Sequence, residues 1–234
     1  MNTVCVVIGV LFLICVLISW AQGLFKVILS AAGLIASIVV AAYVAPNISG
    51  FLEENTMIDD RIASYISKEL QFSQTGEDAS RAMQVAIINE LPLPEGLKSN
   101  ILDNNNSEMY HVLDVGGVYD YIAKSVAVVI LNTAVFLVLI LICRIFFFFL
   151  GKSMKSLSKL PIVRWIDKLG GGFIGIIKGL IYIWVFFLIL SITSTFSWSQ
   201  ELTSQIMQSE LLKLLYDNNI LLDIVGDLTR VLFF

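Results

Sequence analysis

Few residues of this chain have the types and spacing that catalysis requires. His111 is the only histidine, and Ser107 and Asp114 lie near it, but nothing places a nucleophile beside a base held by a third group. The sequence contains neither a Gly-Lys-Ser/Thr phosphate loop nor a His-Glu-x-x-His zinc motif. Its three cysteines stand in apolar runs without metal-ligand spacing. We therefore expect no catalytic centre, no metal and no cofactor.

The remaining candidates are charged residues close to the ends of apolar runs. Lys26, Arg144 and Lys178 are favoured as cations whose long side chains reach the lipid headgroups. Alternatively, Lys26 or Lys178 binds an anionic headgroup or pairs with Asp167, the only carboxylate between residues 121 and 200. Asp167 could equally be the N-cap or a first-turn acid of the helix that leads into the fourth apolar run, where it would favour the helix dipole.

One amide, Asn132, falls inside the third apolar run together with Thr133. Polar side chains in lipid usually bond a neighbouring helix. We favour such a contact over a transport site.

Four long apolar runs must position these residues. None of the runs contains an acidic residue, and they are Thr3–Trp20, Leu24–Ala45, Val126–Leu150 and Phe173–Ile192. A helix needs about 20 apolar residues to cross a bilayer. The composition agrees, with 57% hydrophobic residues and a mean hydropathy of +0.85. We predict an all-α, polytopic membrane protein with four transmembrane helices arranged as two hairpins. No Lys or Arg precedes Lys26, so we expect the first run to be retained rather than cleaved as a signal peptide.

The distribution of charge predicts the topology. Residues 46–123 hold 13 acidic and 4 basic residues, whereas the loop 151–172 holds five basic residues and one acidic residue. Basic residues in short loops mark the cytoplasmic side of a membrane protein. We predict a membrane protein with loop 151–172 inside the cell and both termini and residues 46–123 outside.

Four regions follow from these boundaries: a hairpin over residues 1–45, an acidic insert over 46–123, a second hairpin over 124–196 and a tail over 197–234. The second run is predicted to end at Pro46, which cannot continue a helix. Apolar spacing predicts helices over Phe51–Leu70, Asp78–Leu91 and Glu95–Leu102, so the insert is a helical cap, with a flexible linker as the alternative. Similar spacing predicts two tail helices, which pack on the insert or lie on the outer leaflet. Leu160–Lys168 is predicted to be a short amphipathic segment at the membrane surface.

Small residues recur every four positions in two runs, as Gly171, Gly175 and Gly179 and as Gly33, Ser37 and Ala41. Such spacing lines one helix face and lets two backbones approach closely. We favour packing of spans two and four within one chain over a dimer interface, which leaves a homo-oligomer as the alternative.

Two stretches together resemble the colicin V production protein family of bacterial inner-membrane proteins. They are Trp20–Ala42 and Leu157–Leu188, and the matching residues are Gly23, Lys26, Gly33, Asp167, Gly171, Gly175, Lys178 and Gly179. The resemblance covers the four spans, about half of the chain, while the insert and the tail exceed the compact members. Gln22 stands where the family usually has Arg before the turn glycine.

The resemblance implies a non-enzymatic accessory protein that supports the production or export of a toxin-like peptide and, more broadly, envelope homeostasis. Its expected partners are the lipid bilayer and membrane or secreted proteins, with no nucleic acid. The alternative is a small channel or transporter built from the two hairpins, with basic residues at its inner mouth favouring anions.

Overall fold

The computed structural model describes residues 3–69, 80–91, 93, 95–153 and 164–232. These residues form helices and short connections, without any strand. The helices are α1 (Thr3–Gln22), α2 (Leu24–Asn55), α3 (Ile58–Glu69), α4 (Arg81–Glu90), α5 (Glu95–Asp103), α6 (Ser107–Val112), α7 (Val118–Ser153), α8 (Arg164–Ile192), α9 (Ser197–Met207), α10 (Glu210–Asp217) and α11 (Ile220–Leu232).

Four of these helices, α1, α2, α7 and α8, are long and apolar enough to cross a membrane. At 1.5 Å per residue, the shortest of them spans about 30 Å, the thickness of a bilayer core. The prediction of four spans in an all-α protein is confirmed. Helix α8 begins at Arg164, so residues 164–172 of the predicted loop 151–172 are helical. Residues 154–163, with the first four residues of the predicted Leu160–Lys168 segment, lie outside the described residues, and the rest of that segment is the start of α8.

The four long helices pack across the two predicted hairpins rather than within them. Helix α1 lies mainly against α8, and α2 lies against α7 and α8, while α1 and α2 touch little after their turn. Helices α1 and α2 are consecutive spans joined at Gly23, but each packs mainly on a helix of the second predicted hairpin. The small-residue faces explain the pairing, since Gly171, Gly175 and Gly179 of α8 face α1 and Gly33 of α2 faces α7.

Helix α2 continues through Pro46 to Asn55, so the prediction that it ends at Pro46 is wrong. A proline removes one backbone N–H, but a long helix tolerates that loss when packing holds both sides of it. Ala41, Ala45 and Ser49 are all buried around this point, facing α7 and α11. The helix instead ends at Thr56, where the backbone becomes extended. The predicted helix Phe51–Leu70 is thus divided between α2 and α3.

The described part of the insert is a packed cap rather than a flexible linker. Helix α3 packs along α7, and its Ile66 is 1% exposed. Lys124 of α7 forms ion pairs with Asp59, at 2.7 Å, and with Asp60. Tyr121 of α7 donates a hydrogen bond to the carbonyl oxygen of Ile101 in α5, at 2.8 Å. One apolar core runs without a break from α2 and α7 into the insert.

The tail forms three helices, where two were predicted. Helix α11 packs on α2, α7 and α5, so this part of the tail lies on the insert. Helices α9 and α10 instead cover the ends of α1 and α8, where Phe187, Ile206 and Tyr216 are fully buried. We call the end of the bundle that carries α9 and α10 the insert end. The opposite end, at the α1–α2 turn, is called the Gly23 end.

Candidate functional site

The turn between α1 and α2 is held by a carboxylate from the other half of the chain. Gly23 has φ +82°, a conformation that only glycine adopts without strain. Asp167, in the first turn of α8, accepts the backbone N–H of Leu24 through Oδ1 at 2.8 Å. A Cβ on Gly23 would lie 2.2 Å from Asp167 Oδ2. Glycine at the turn and aspartate on α8 are therefore one structural unit.

Asp167 thus serves the amino end of α2 as well as lying in the first turn of α8. Gly23 is the N-cap position of α2 and has no side chain to accept the free N–H groups there. The carboxylate supplies that acceptor, and its charge also suits the positive end of the helix dipole. Of the expected roles for Asp167, the helix-end role fits this geometry, but the helix that it caps is α2.

The three spaced glycines of α8 lie against α1. A Cβ on Gly171 would meet the carbonyl oxygen of Ser19 at 2.8 Å, and one on Gly175 would meet Ser19 Cβ at 2.5 Å. A Cβ on Gly179 would meet the ring of Phe12 at 2.8 Å. The expectation that this stripe packs spans two and four together is wrong, because its partner is α1.

The small-residue face of α2 lies against α7. Gly33 faces Arg144 and Phe147, where a Cβ would lie 3.4 Å from Arg144 Nη1 and 3.3 Å from Phe147 Cβ. Ser37 is fully buried, and its hydroxyl donates a hydrogen bond to the carbonyl oxygen of Gly33 at 2.6 Å. The absence of a side chain at Gly33 therefore leaves room for a guanidinium group to reach α2.

That guanidinium group meets a second cation on one hydroxyl. Arg144 Nη2 and Lys178 Nζ donate to Ser30 Oγ at 3.0 and 3.1 Å, and Arg144 Nη1 donates to the Ser30 carbonyl oxygen at 3.3 Å. Ser30 is on α2, Arg144 on α7 and Lys178 on α8. We call these three residues the cation cluster. Lys178 is only 8% exposed, and its ammonium group is turned into the bundle.

No acidic side chain of the described residues forms an ion pair with the cation cluster. Asp167 is the only acidic residue in 1–52 and 121–200, and its Oδ1 accepts from Leu24. In the described part of the chain, the ion pairs involve Lys98 and Lys124, both at the insert end. Because both cations lie within 3.1 Å of Ser30 Oγ, they are at most about 6 Å apart and repel by about 3 kcal/mol at an effective dielectric constant of about 20.

The remaining predicted residues are placed as follows. Lys26 is exposed at the Gly23 end. Neither Lys26 nor Lys178 forms an ion pair with Asp167 among the described residues. Asn132 is 1% exposed inside α7. Lys168 places its ammonium group 5.2 Å from the ring centroid of Trp20, joining α8 to the end of α1.

Two residues that sequence reasoning missed are Ser30 and Ser19. Ser30 begins the small-residue face of α2, three positions before Gly33, so extending that stripe backwards would have found it. Ser19 is a lone small polar residue among large apolar ones in α1, and it is 1% exposed against the α8 glycines. The signal at Ser19 becomes readable only when the partner helix is known.

The arrangement as a whole is that of a multi-pass helical membrane protein. His111 is exposed, and no three potential metal ligands come together within the described residues. The family model of the colicin V production protein matches residues 5–75 and 116–219, most of the chain. The chain therefore belongs to the colicin V production protein family. No curated protein and no solved structure matches it.

The family match extends further than the expected four spans. It includes α3 of the insert and α9 and α10 of the tail, so these helices are part of the family pattern. The unmatched residues 76–115 contain α4, α5 and α6, and the unmatched residues 220–234 contain α11. Helices α5 and α11 pack on each other, and a Cβ on Gly226 would lie 2.8 Å from Asn100 Nδ2. The two unmatched segments thus form one added layer at the insert end.

Proposed function

We propose that this protein is a non-enzymatic accessory factor of the bacterial cell membrane that supports the production or export of a toxin-like peptide, and through it the envelope. Family membership carries this proposal. The architecture supports it, because the bundle carries a packed, acidic cap at one end. The cap gives a fixed surface on which a membrane or secreted protein can dock.

The proposal places the insert end outside the cell and the Gly23 end in the cytoplasm. The acidic insert and the basic residues of loop 151–172 support this orientation. In a background without the three native cysteines, Glu108→Cys, at an exposed position of α6, should react with an impermeant thiol reagent in intact cells. Ser156→Cys, in the predicted cytoplasmic loop, should react only after lysis. The reverse pattern would overturn the orientation.

The docking surface is assigned to the exposed carboxylates of the added layer. Glu90, Asp103, Glu108 and Asp114 are all exposed and lie on or beside α4–α6. Such a concentration of one sign of charge favours partners with basic segments and speeds their encounter. Exchange of these carboxylates for amides leaves the buried face of each helix unchanged.

The test is the secreted-protein profile of a deletion strain, compared with its parent. Loss of one or a few exported peptides is expected, and wild-type protein should restore them. Glu108→Gln with Asp114→Asn should restore them poorly at normal membrane abundance. Glu201→Gln with Glu210→Gln, an equal change of charge at exposed tail positions, is the matched control and should restore them fully. An unchanged profile in the deletion strain would refute the export role.

The second candidate function is a small channel or transporter for anions. The observation that favours it is the pair of cations, Arg144 and Lys178, inside the bundle rather than at its surface. Purified protein in liposomes should then pass anions at a rate that falls when Lys178 is replaced by Gln. Sealed liposomes with the wild-type protein would exclude this function.

A further inference from the structure

We propose that the cation cluster binds the phosphate group of an anionic phospholipid whose acyl chain lies in the groove between α1 and α8. This site is independent of the export role. It requires only that the four long helices cross a bilayer. The evidence is the chemistry of the cluster, its depth, and the shape of the groove beside it.

The chemistry of the cluster calls for an oxyanion. Arg144 and Lys178 share the single hydroxyl of Ser30, which leaves further N–H groups on each without an acceptor from the described residues. A guanidinium and an ammonium group that converge on one point suit a phosphate, which can accept from both at once. Within the described residues no carboxylate pairs with either cation, and the carboxylate of Asp167 is bound at the turn. The balancing charge therefore comes from outside the protein.

The depth of the cluster suits a lipid headgroup drawn slightly into the bundle. Ser30 lies seven residues after Gly23, which is about 10 Å along α2. Lys178 lies further along α8, but helical side chains point back towards the amino end, which brings its ammonium group to the level of Ser30. The cluster is thus in the leaflet on the Gly23 side, within reach of a phosphate at its surface.

A groove beside the cluster suits an acyl chain. Its cavity volume is about 750 Å³, and its walls are apolar, including Val7, Leu11, Cys15, Gly179 and Tyr182. Tyr182 joins the groove to the cluster, since its ring centroid lies 6.0 Å from Lys178 Nζ. From Cys15 to Thr3 the groove runs about 18 Å along α1, close to the hydrocarbon depth of one leaflet, about 15 Å.

The experiment measures lipid binding to the purified full chain by native mass spectrometry. Phosphatidylglycerol is compared with phosphatidylcholine of the same acyl chains, so that only the headgroup charge differs. Wild-type protein should bind phosphatidylglycerol about tenfold more tightly, and Arg144→Gln and Lys178→Gln should each remove most of that preference. Lys26→Gln, which removes an exposed cation at the same end, should retain it.

Two further variants separate the lipid from free phosphate and from misfolding. Val7→Trp fills the groove without touching the cluster, so it should weaken phosphatidylglycerol binding and leave any thermal shift caused by inorganic phosphate unchanged. Ser30→Ala keeps both cations and should weaken binding only a few-fold. Equal binding of the two lipids by wild-type protein would overturn the proposal. So would an equal loss in Lys26→Gln, or a response to inorganic phosphate alone.

Discussion

Asp167 and Leu24 are 143 positions apart in the sequence, yet the carboxylate of one accepts the backbone N–H of the other at 2.8 Å. This bond joins the start of the second span to the start of the fourth. Gly23 permits it, because any side chain there would overlap the carboxylate. Gly23 and Asp167, which are separate positions of the family motif, thus belong to one contact.

Removal of the Asp167 carboxylate should loosen the Gly23 end. Asp167→Ala leaves the first N–H groups of α2 without this acceptor, which costs about 1 kcal/mol for a typical N-cap. Asp167→Asn retains an acceptor oxygen and should lose less. Thermal unfolding of the purified protein in detergent measures both. Equal losses would show that the charge of Asp167, not its hydrogen bond, holds the turn.

Gly175→Ala should destabilise the packing of α1 on α8. The new methyl group would lie 2.5 Å from Ser19 Cβ and 3.3 Å from Val16 Cα, and overpacking of this kind costs about 1–3 kcal/mol. Ser19→Gly in the same chain removes the nearest clash and should restore most of the stability. Gly9→Ala is the control, because nothing lies within 4 Å of that position. The yield of folded protein in membranes gives the comparison, and a fully tolerated Gly175→Ala would refute this contact.

Lys124→Met should detach the insert from α7. Asp59, whose carboxylate binds Lys124 at 2.7 Å, is 6% exposed, so the change leaves a buried charge without its partner at a cost of about 3–5 kcal/mol. Lys98→Met breaks the pair with the exposed Glu95 and should cost less than about 1 kcal/mol. Limited proteolysis of the insert in intact membranes distinguishes them. Equal protease resistance in both variants would contradict the ranking.

Tyr216 should make the packing of the tail sensitive to alkaline pH. Burial raises the pKa of its phenol to about 12. Because the folded state favours the neutral form, this contribution to stability is complete below about pH 10 and is lost as the pH rises towards 12. Tyr216→Phe keeps the ring against Phe187 and should remove that loss. The difference in tyrosinate absorbance between wild type and Tyr216→Phe should have its midpoint near pH 12. A midpoint near 10 would show that Tyr216 is solvated.

The sequence predicts the spans well because lipid demands long apolar runs and little else does. It also predicts α4 and α5, since their apolar spacing is local. The prediction from Pro46 was wrong because the local effect of a proline on a helix is smaller here than the stabilisation from packing of Ala41, Ala45 and Ser49 around it. Local rules are reliable where no tertiary contact opposes them.

Helix pairing could not be predicted in the same way. The small-residue faces of α2 and α8 look alike in sequence, and only the folded bundle shows that one meets α7 and the other α1. The cation cluster shows the same limit. Arg144 and Lys178 were visible as charges near apolar runs, but their common partner, Ser30, lies 114 and 148 positions away.

The pairing of α1 with α8 has a consequence for biogenesis. The ribosome delivers α1 first and α8 last among the four long helices, so α1 must wait in the lipid, almost without protein contacts, until nearly the whole chain is made. The bundle is then completed by joining its two ends, as Asp167 reaches Leu24 and the α8 glycines meet Ser19. A chain truncated before α8 has its first span inserted but unassembled, and membrane quality control can distinguish it from the finished protein.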